Sequence, residues 1–113
     1  MLKKIVSFGY RHEWPPEAGP GEVVIDVRTL FKNPYHDRKL RYLRGTDAQV
    51  QVEILKNPMF NVRYAYVKEQ VTVPGVEVAY IGCTGGHHRS VFLAEKLGQE
   101  LGVSVEHRDI EKP

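Results

Sequence analysis

VEVAYIGCTGGHHRSVFLAEKL, residues 76–97, is the stretch on which the fold turns. Val76 to Gly82 is apolar at nearly every position, as a strand buried on both faces would be. Val91 to Leu101 reads as a helix, because Ala94, Leu97 and Leu101 share one stripe and Gly102 stands where a C-terminal cap belongs. Between them Gly82, Gly85 and Gly86 make a turn too glycine-rich for either element. Strand, tight turn and helix in this order form the repeating unit of an α/β sheet.

Upstream, Lys3 to Tyr10 and Glu22 to Arg28 are β-branched runs, parted by WPPEAGPG (residues 14–21), which reads as a loop. Thr46 and Gln49 have the spacing of a capping box opening a helix from Asp47 to Lys56. Val50, Val52 and Ile54 also alternate as a strand would. Asn57-Pro58 starts a second helix, Met59 to Gln70. Val103 to His107 closes the chain as a short strand. The expected architecture is a single α/β domain over 1–113, a mostly parallel sheet of four strands flanked by helices with right-handed crossovers. Ligands of such sheets sit at the carboxyl ends of the strands.

The 113 residues are 42% hydrophobic and 27% charged, with a formal charge of +2, so neither disorder nor a strongly basic surface is announced. MLKKIVSFGY holds no apolar run of signal-peptide or membrane-span length, and a cytoplasmic location is expected. The one cysteine excludes an internal disulfide and a multi-cysteine metal cage. No metal and no cofactor are expected.

The loop 82–90 enters a helix N-terminus, where free N–H groups and the helix dipole favour an anion. The three glycines are expected to supply positive φ angles and close approach. Arg89 offers a bidentate fork, and Thr84 and Ser90 offer hydroxyls. Neither a Walker A nor a Rossmann spacing is present, which leaves nucleotide hydrolysis without visible machinery. Cys83-x5-Arg89 has the spacing of cysteine phosphatases, with the helix dipole and Arg89 lowering the thiol pKa. Gly82 stands where a histidine usually precedes such a cysteine, and no general acid is evident. Arg38, Lys39, Arg41 and Arg44 lie beside Tyr35 and Tyr42, a combination suited to tracking RNA phosphates and stacking on bases, or to a solvated surface loop.

Taken together, SFGYRH, VIDVR, NPYHDRKLR, IGCTGGHHRSVFLAEKL and HRDIEK run in the same order as, and closely resemble, the C-terminal domain of the RapZ family of RNase adapters and nucleotide-binding proteins. The resemblance implies a phosphofructokinase-like α/β unit and a second domain without its N-terminal P-loop kinase-like partner. It also implies binding of glucosamine-6-phosphate or a similar small anion, homo-oligomerisation, and contact with small RNA in some members. Carried over, the ligand residues are Thr84, Gly85, Gly86, His88 and Arg89, with Asp26 and Arg28 from the second strand; Cys83 and Ser90 join from the loop. Asn33 and either Tyr35 or His36 are further candidates, since Tyr35 stands where the family pattern has a histidine. His87, at the variable position of the motif, is expected to face solvent.

Three functions follow. The first is a non-catalytic binding domain for an anionic metabolite, acting as sensor or adaptor. The second is an RNA-binding adaptor using Arg38, Lys39, Arg41 and Arg44. The third is a phosphatase with Cys83 as nucleophile. A separate nucleotide-binding partner is compatible with the first two.

Overall fold

The computed structural model describes residues 1–14 and 17–113; Pro15 and Pro16 of the expected first loop lie outside the described residues. Four strands, β1 (Lys4–Gly9), β2 (Glu22–Asp26), β3 (Val78–Cys83) and β4 (Ser104–His107), form one sheet in the order β2-β3-β1-β4. Every pairing is parallel. The helices are α1 (Ala48–Leu55), α2 (Phe60–Val71) and α3 (Arg89–Leu101), preceded by a short 3-10 turn at Pro34–His36. The expected α/β architecture of four parallel strands flanked by helices is the one observed.

Side chains alternate across a strand. Ile5, Ile25, Ala79 and Ile81 therefore share a face and pack in one core with Val67 and Val71 of α2 and Leu93 and Leu97 of α3. Phe60 joins the two helices, its ring 5.5 Å from Tyr64 and 6.1 Å from Phe92. On the other face Phe8, Tyr10 and Trp14 run edge to face at 4.8 Å spacing. Arg28 lies 3.9 Å over the Tyr10 ring and Arg108 5.1 Å over Phe8. This face meets loops and cations, so Val78 and Tyr80 are only half-buried, where burial on both sides was expected.

Two helix starts differ from the sequence expectation. Asp47, not Thr46, is the cap residue of α1, and its carboxylate turns back to accept from the Arg44 N–H (2.6 Å). Gln49 is exposed, and the capping box is not formed. Helix α3 begins two residues early, at Arg89, because Arg89, Ser90 and Val91 are all buried against the core. The Asn57 carboxamide accepts from the Met59 N–H (2.8 Å), as its place before Pro58 suggested, and Gly102 caps α3 at φ 67°.

The end of β1 and the loop after β3 come into backbone contact. The N–H groups of Tyr10 and Arg11 donate to the carbonyls of Cys83 and Thr84, both at 2.9 Å. Gly86 has φ 75°, and a methyl group there would lie 2.7 Å from the Gly9 nitrogen. The expectation that all three loop glycines need positive φ is corrected, since only Gly86 does. Gly82 instead makes room for Phe8, whose ring would lie 2.3 Å from an added Cβ. Gly85 has open space beside it, with nothing nearer than 3.9 Å.

Asp109 locks this contact. Its carboxylate is fully buried, accepts the Gly9 N–H at 2.7 Å, and pairs with Arg108 (2.8 Å) and Lys112 (2.7 Å). Burial works against its charge, yet the hydrogen bonds from Arg108, Lys112 and Gly9 outweigh it and hold its pKa well below the ordinary range. The sign is that of a depressed carboxyl: its stabilisation is complete above the unfolded-state value of about 3.9 and is lost as pH falls toward the folded value.

Two stability predictions follow from this packing. Asp109→Ala should cost about 3 kcal/mol in urea unfolding and make stability less steeply dependent on pH below about 4. Gly86→Ala should destabilise through its φ and its clash with Gly9, whereas Gly85→Ala should leave the unfolding midpoint nearly unchanged.

Candidate functional site

Parallel strands all end on one side, and there the loop 82–88 forms the floor of a cavity of about 470 Å³. Cys83, Thr84, Gly85, His87 and His88 line it from the loop, and Arg11 from the chain leaving β1. Asn33, Tyr35, Arg41, Tyr42 and Arg44 line it from the segment between β2 and α1, and Pro113 from the C-terminal segment.

Specific backbone contacts bring these distant segments together. Arg11 is placed by the pairing of residues 10 and 11 with the carbonyls of 83 and 84. Arg44 is placed by its neighbour: the Gly45 N–H donates to the His87 carbonyl (2.7 Å), and a Cβ on Gly45 would lie 2.3 Å from the His88 carbonyl oxygen. Arg41 lies 4.5 Å over the Tyr35 ring and donates to the Tyr35 carbonyl (3.1 Å). The C-terminal segment crosses the rim, where the Ile110 and Lys112 carbonyls and the main-chain oxygen of Pro113 accept from Arg44 Nε (2.9 Å), His87 Nε2 (2.6 Å) and Arg11 Nη2 (2.7 Å).

Three guanidinium groups thus face one cavity; Arg41 and Arg44 are held by peptide carbonyl oxygens, and Arg11 by the main-chain oxygen of Pro113, the last residue of the sequence. Among the described residues neither Arg41 nor Arg44 forms an ion pair with a carboxylate, and no Asp or Glu side chain pairs with Arg11. Carbonyls orient a guanidinium without cancelling its charge, so the cavity keeps a positive field. Burial lowers the His87 pKa, and Arg44, Arg11 and His12 push it further down against the Lys112 carbonyl. Burial likewise lowers that of His88, which is 4% exposed.

Of the expected ligand residues, Cys83, Thr84, Gly85, His88, Asn33 and Tyr35 line this cavity. His36 lines a neighbouring cavity of about 430 Å³ with Lys32, Glu53 and Lys56, so Tyr35 is the one of the pair turned to the loop. Gly86 and Ser90 lie behind the floor, Ser90 fully buried with its hydroxyl 3.1 Å from Cys83 Sγ. Asp26 and Arg28 reach the same end of the sheet but grip each other, Arg28 Nη2 to Asp26 Oδ2 at 2.7 Å. That pairing, led by the Arg28 hydrogen bond, holds the Asp26 pKa down.

Arg89 is placed otherwise than its motif suggested. It is 2% exposed, and its Nη1 donates to the carbonyls of Arg28 (2.9 Å) and Phe31 (3.0 Å). Nη2 lies 3.4 Å from Thr84 Oγ1. Half of its fork therefore fastens the chain after β2 to the start of α3, and burial pulls its pKa down, opposed by Cys83 and Asp26.

Arg41 and Arg44, read from sequence as RNA contacts, share the loop's cavity, while exposed Arg38 and Lys39 do not line it. Arg11, Tyr42 and His87 were not among the expected ligand residues. Arg11 had a signal, its place just beyond the carboxyl end of a strand. His87, expected to face solvent, is half-buried on the wall.

A family profile described as the RapZ C-terminal domain matches residues 1–111. Proteins named nucleotide-binding protein from Pseudothermotoga lettingae, Limosilactobacillus fermentum and Heliobacterium modesticaldum are 39%, 37% and 38% identical, each over 96% of this chain. The chain spans 42%, 41% and 39% of their respective lengths. Among the described residues no helix is long and apolar enough to cross a membrane. With the profile running through the loop, the basic segment and the final Asp109 lock alike, the chain belongs to the RapZ C-terminal domain family.

Proposed function

We propose that this chain is a non-catalytic binding domain for a small anionic metabolite, a sugar phosphate of the glucosamine-6-phosphate kind, acting as a sensor or adaptor. The observation that carries the reading is the convergence of Arg11, Arg41 and Arg44 on the cavity floored by Thr84 and Gly85. A phosphoryl group there would replace water with charge-assisted hydrogen bonds worth about 1.5–3 kcal/mol each. Asn33, Tyr35 and Tyr42 also line the wall and bring polar groups suited to sugar hydroxyls. The relatives' name admits a nucleotide as another phosphoryl ligand, held here or in the part of those proteins outside the matched region.

RNA is the second reading, favoured by the 82% exposure of Tyr42 beside Arg41 and Arg44. The two readings are compatible, because an anion on the floor would alter the charge that an RNA backbone meets at the rim. A phosphatase role is less well supported. Cys83 Sγ is buried against the Ser90 hydroxyl, and Arg89 has spent Nη1 on main-chain carbonyls. A homo-oligomer, a separate nucleotide-binding partner and a cytoplasmic location remain part of the proposal.

Calorimetric titration and thermal shift with glucosamine-6-phosphate, inorganic phosphate and a short single-stranded RNA test this. A ligand at a hundred times its Kd adds about 2.7 kcal/mol of stability. Arg41→Ala, whose contacts are peripheral to the core, should weaken sugar-phosphate affinity about tenfold, and Gly85→Ala should weaken it by narrowing the floor while folding normally. Unchanged affinity in both variants would place the site elsewhere. RNA binding that falls steeply with salt, without any sugar-phosphate binding, would establish the second reading. Phosphate-ester turnover lost in Cys83→Ser would establish the third.

A further inference from the structure

The carbonyl of Lys112 can only accept, so His87 Nε2, 2.6 Å away, must carry a proton. In the neutral ring the other nitrogen, Nδ1, is then a bare acceptor. A methyl group built on Gly85 would lie 3.9 Å from this Nδ1 and 4.0 Å from Arg11 Nη2. The lone pair and the guanidinium thus look onto the same open patch of cavity floor.

The groups facing His87 come from several elements. Arg11 and His12 follow β1, and the His12 ring is 6.1 Å from that of His87. Arg44 precedes α1, His88 adjoins with its ring at 6.3 Å, and Lys112 turns its ammonium away to Asp109. A positive charge on the ring is disfavoured in this company. A dianion among Arg11, Arg41 and Arg44 reverses that balance.

We propose that His87 is the proton-coupling residue of this site, taking up and keeping a proton at Nδ1 when an oxyanion dianion enters, with the new N–H donating a hydrogen bond to the anion. This rests on the anion-binding reading above. The proton comes from the buffer and one N–H bond forms. The lowered pKa of the free ring is consistent with this, since the empty site then starts deprotonated at neutral pH. Anion affinity is accordingly tied to pH through a residue at the motif's variable position, and dianions are selected over monoanions.

Sulfate is the probe, because it stays a dianion where phosphate itself titrates. Affinity of the wild type should rise as pH falls from about 8 to about 6, by up to about tenfold per unit for one proton taken up. Calorimetry in buffers of different ionisation enthalpy should show that uptake as a buffer-dependent heat. His87→Gln, whose amide still donates to the Lys112 carbonyl, should flatten the pH slope and remove the buffer dependence; His12→Gln should keep both. A slope that survives in His87→Gln, or that vanishes in His12→Gln, overturns the assignment while leaving the anion site intact. If sulfate and glucosamine-6-phosphate both fail to bind the wild type, the anion-binding reading fails, and the inference falls with it.

Discussion

The hydrogen bond from the Gly9 N–H to the buried Asp109 carboxylate is the constraint on which the cavity at the carboxyl ends of the strands depends. It holds the C-terminal segment, the end of β1 and the loop after β3 in one packing unit, where Gly9 and Gly86 touch without a Cβ between them. Burying a carboxylate is costly, and here Arg108, Lys112 and a main-chain donor offset that cost together. From this junction Arg11 is directed into the cavity, and residues 110–113 are carried across its rim.

Gathering Arg11, Arg41 and Arg44 around one cavity entails mutual repulsion. The fold tolerates it by giving Arg41 and Arg44 main-chain carbonyls and no side-chain carboxylate, and Arg11 the main-chain oxygen of Pro113. The dipoles fix the side chains in place, and the net positive charge stays available. Guanidinium groups held in this way have little side-chain freedom left to lose. Arg89 shows the contrasting arrangement, a buried guanidinium used mainly to fasten the chain after β2 onto α3.

The glycine-rich strand-to-helix turn at residues 82–88 was legible because such turns have a local physical basis: little side-chain bulk between an apolar run and a helical stripe. The role of each glycine was not legible. Gly82 answers to the Phe8 ring, Gly86 to the Gly9 backbone and Gly85 to the open cavity, and only the first two partners lie on another strand. Arg41 and Arg44 were legible as basic but not as neighbours of Thr84. Their approach depends on the Gly45 N–H bonding to the His87 carbonyl, a contact that leaves no local signature.

By itself, the sequence determined the parallel α/β class, the four strands, the helix after the loop and the glycine-rich turn that joins β3 to it. Each of these follows from hydrophobic period, glycine placement and residue type within a few positions. Only the tertiary structure decided that Asp26 and Arg28 satisfy each other, that Arg89 faces inward, that Tyr35 rather than His36 meets the loop, and that Arg11 completes the cavity. Those outcomes are settled by competition among groups far apart in the chain. A guanidinium goes wherever carbonyls, carboxylates or rings are brought within reach, and reach is a property of the folded chain alone.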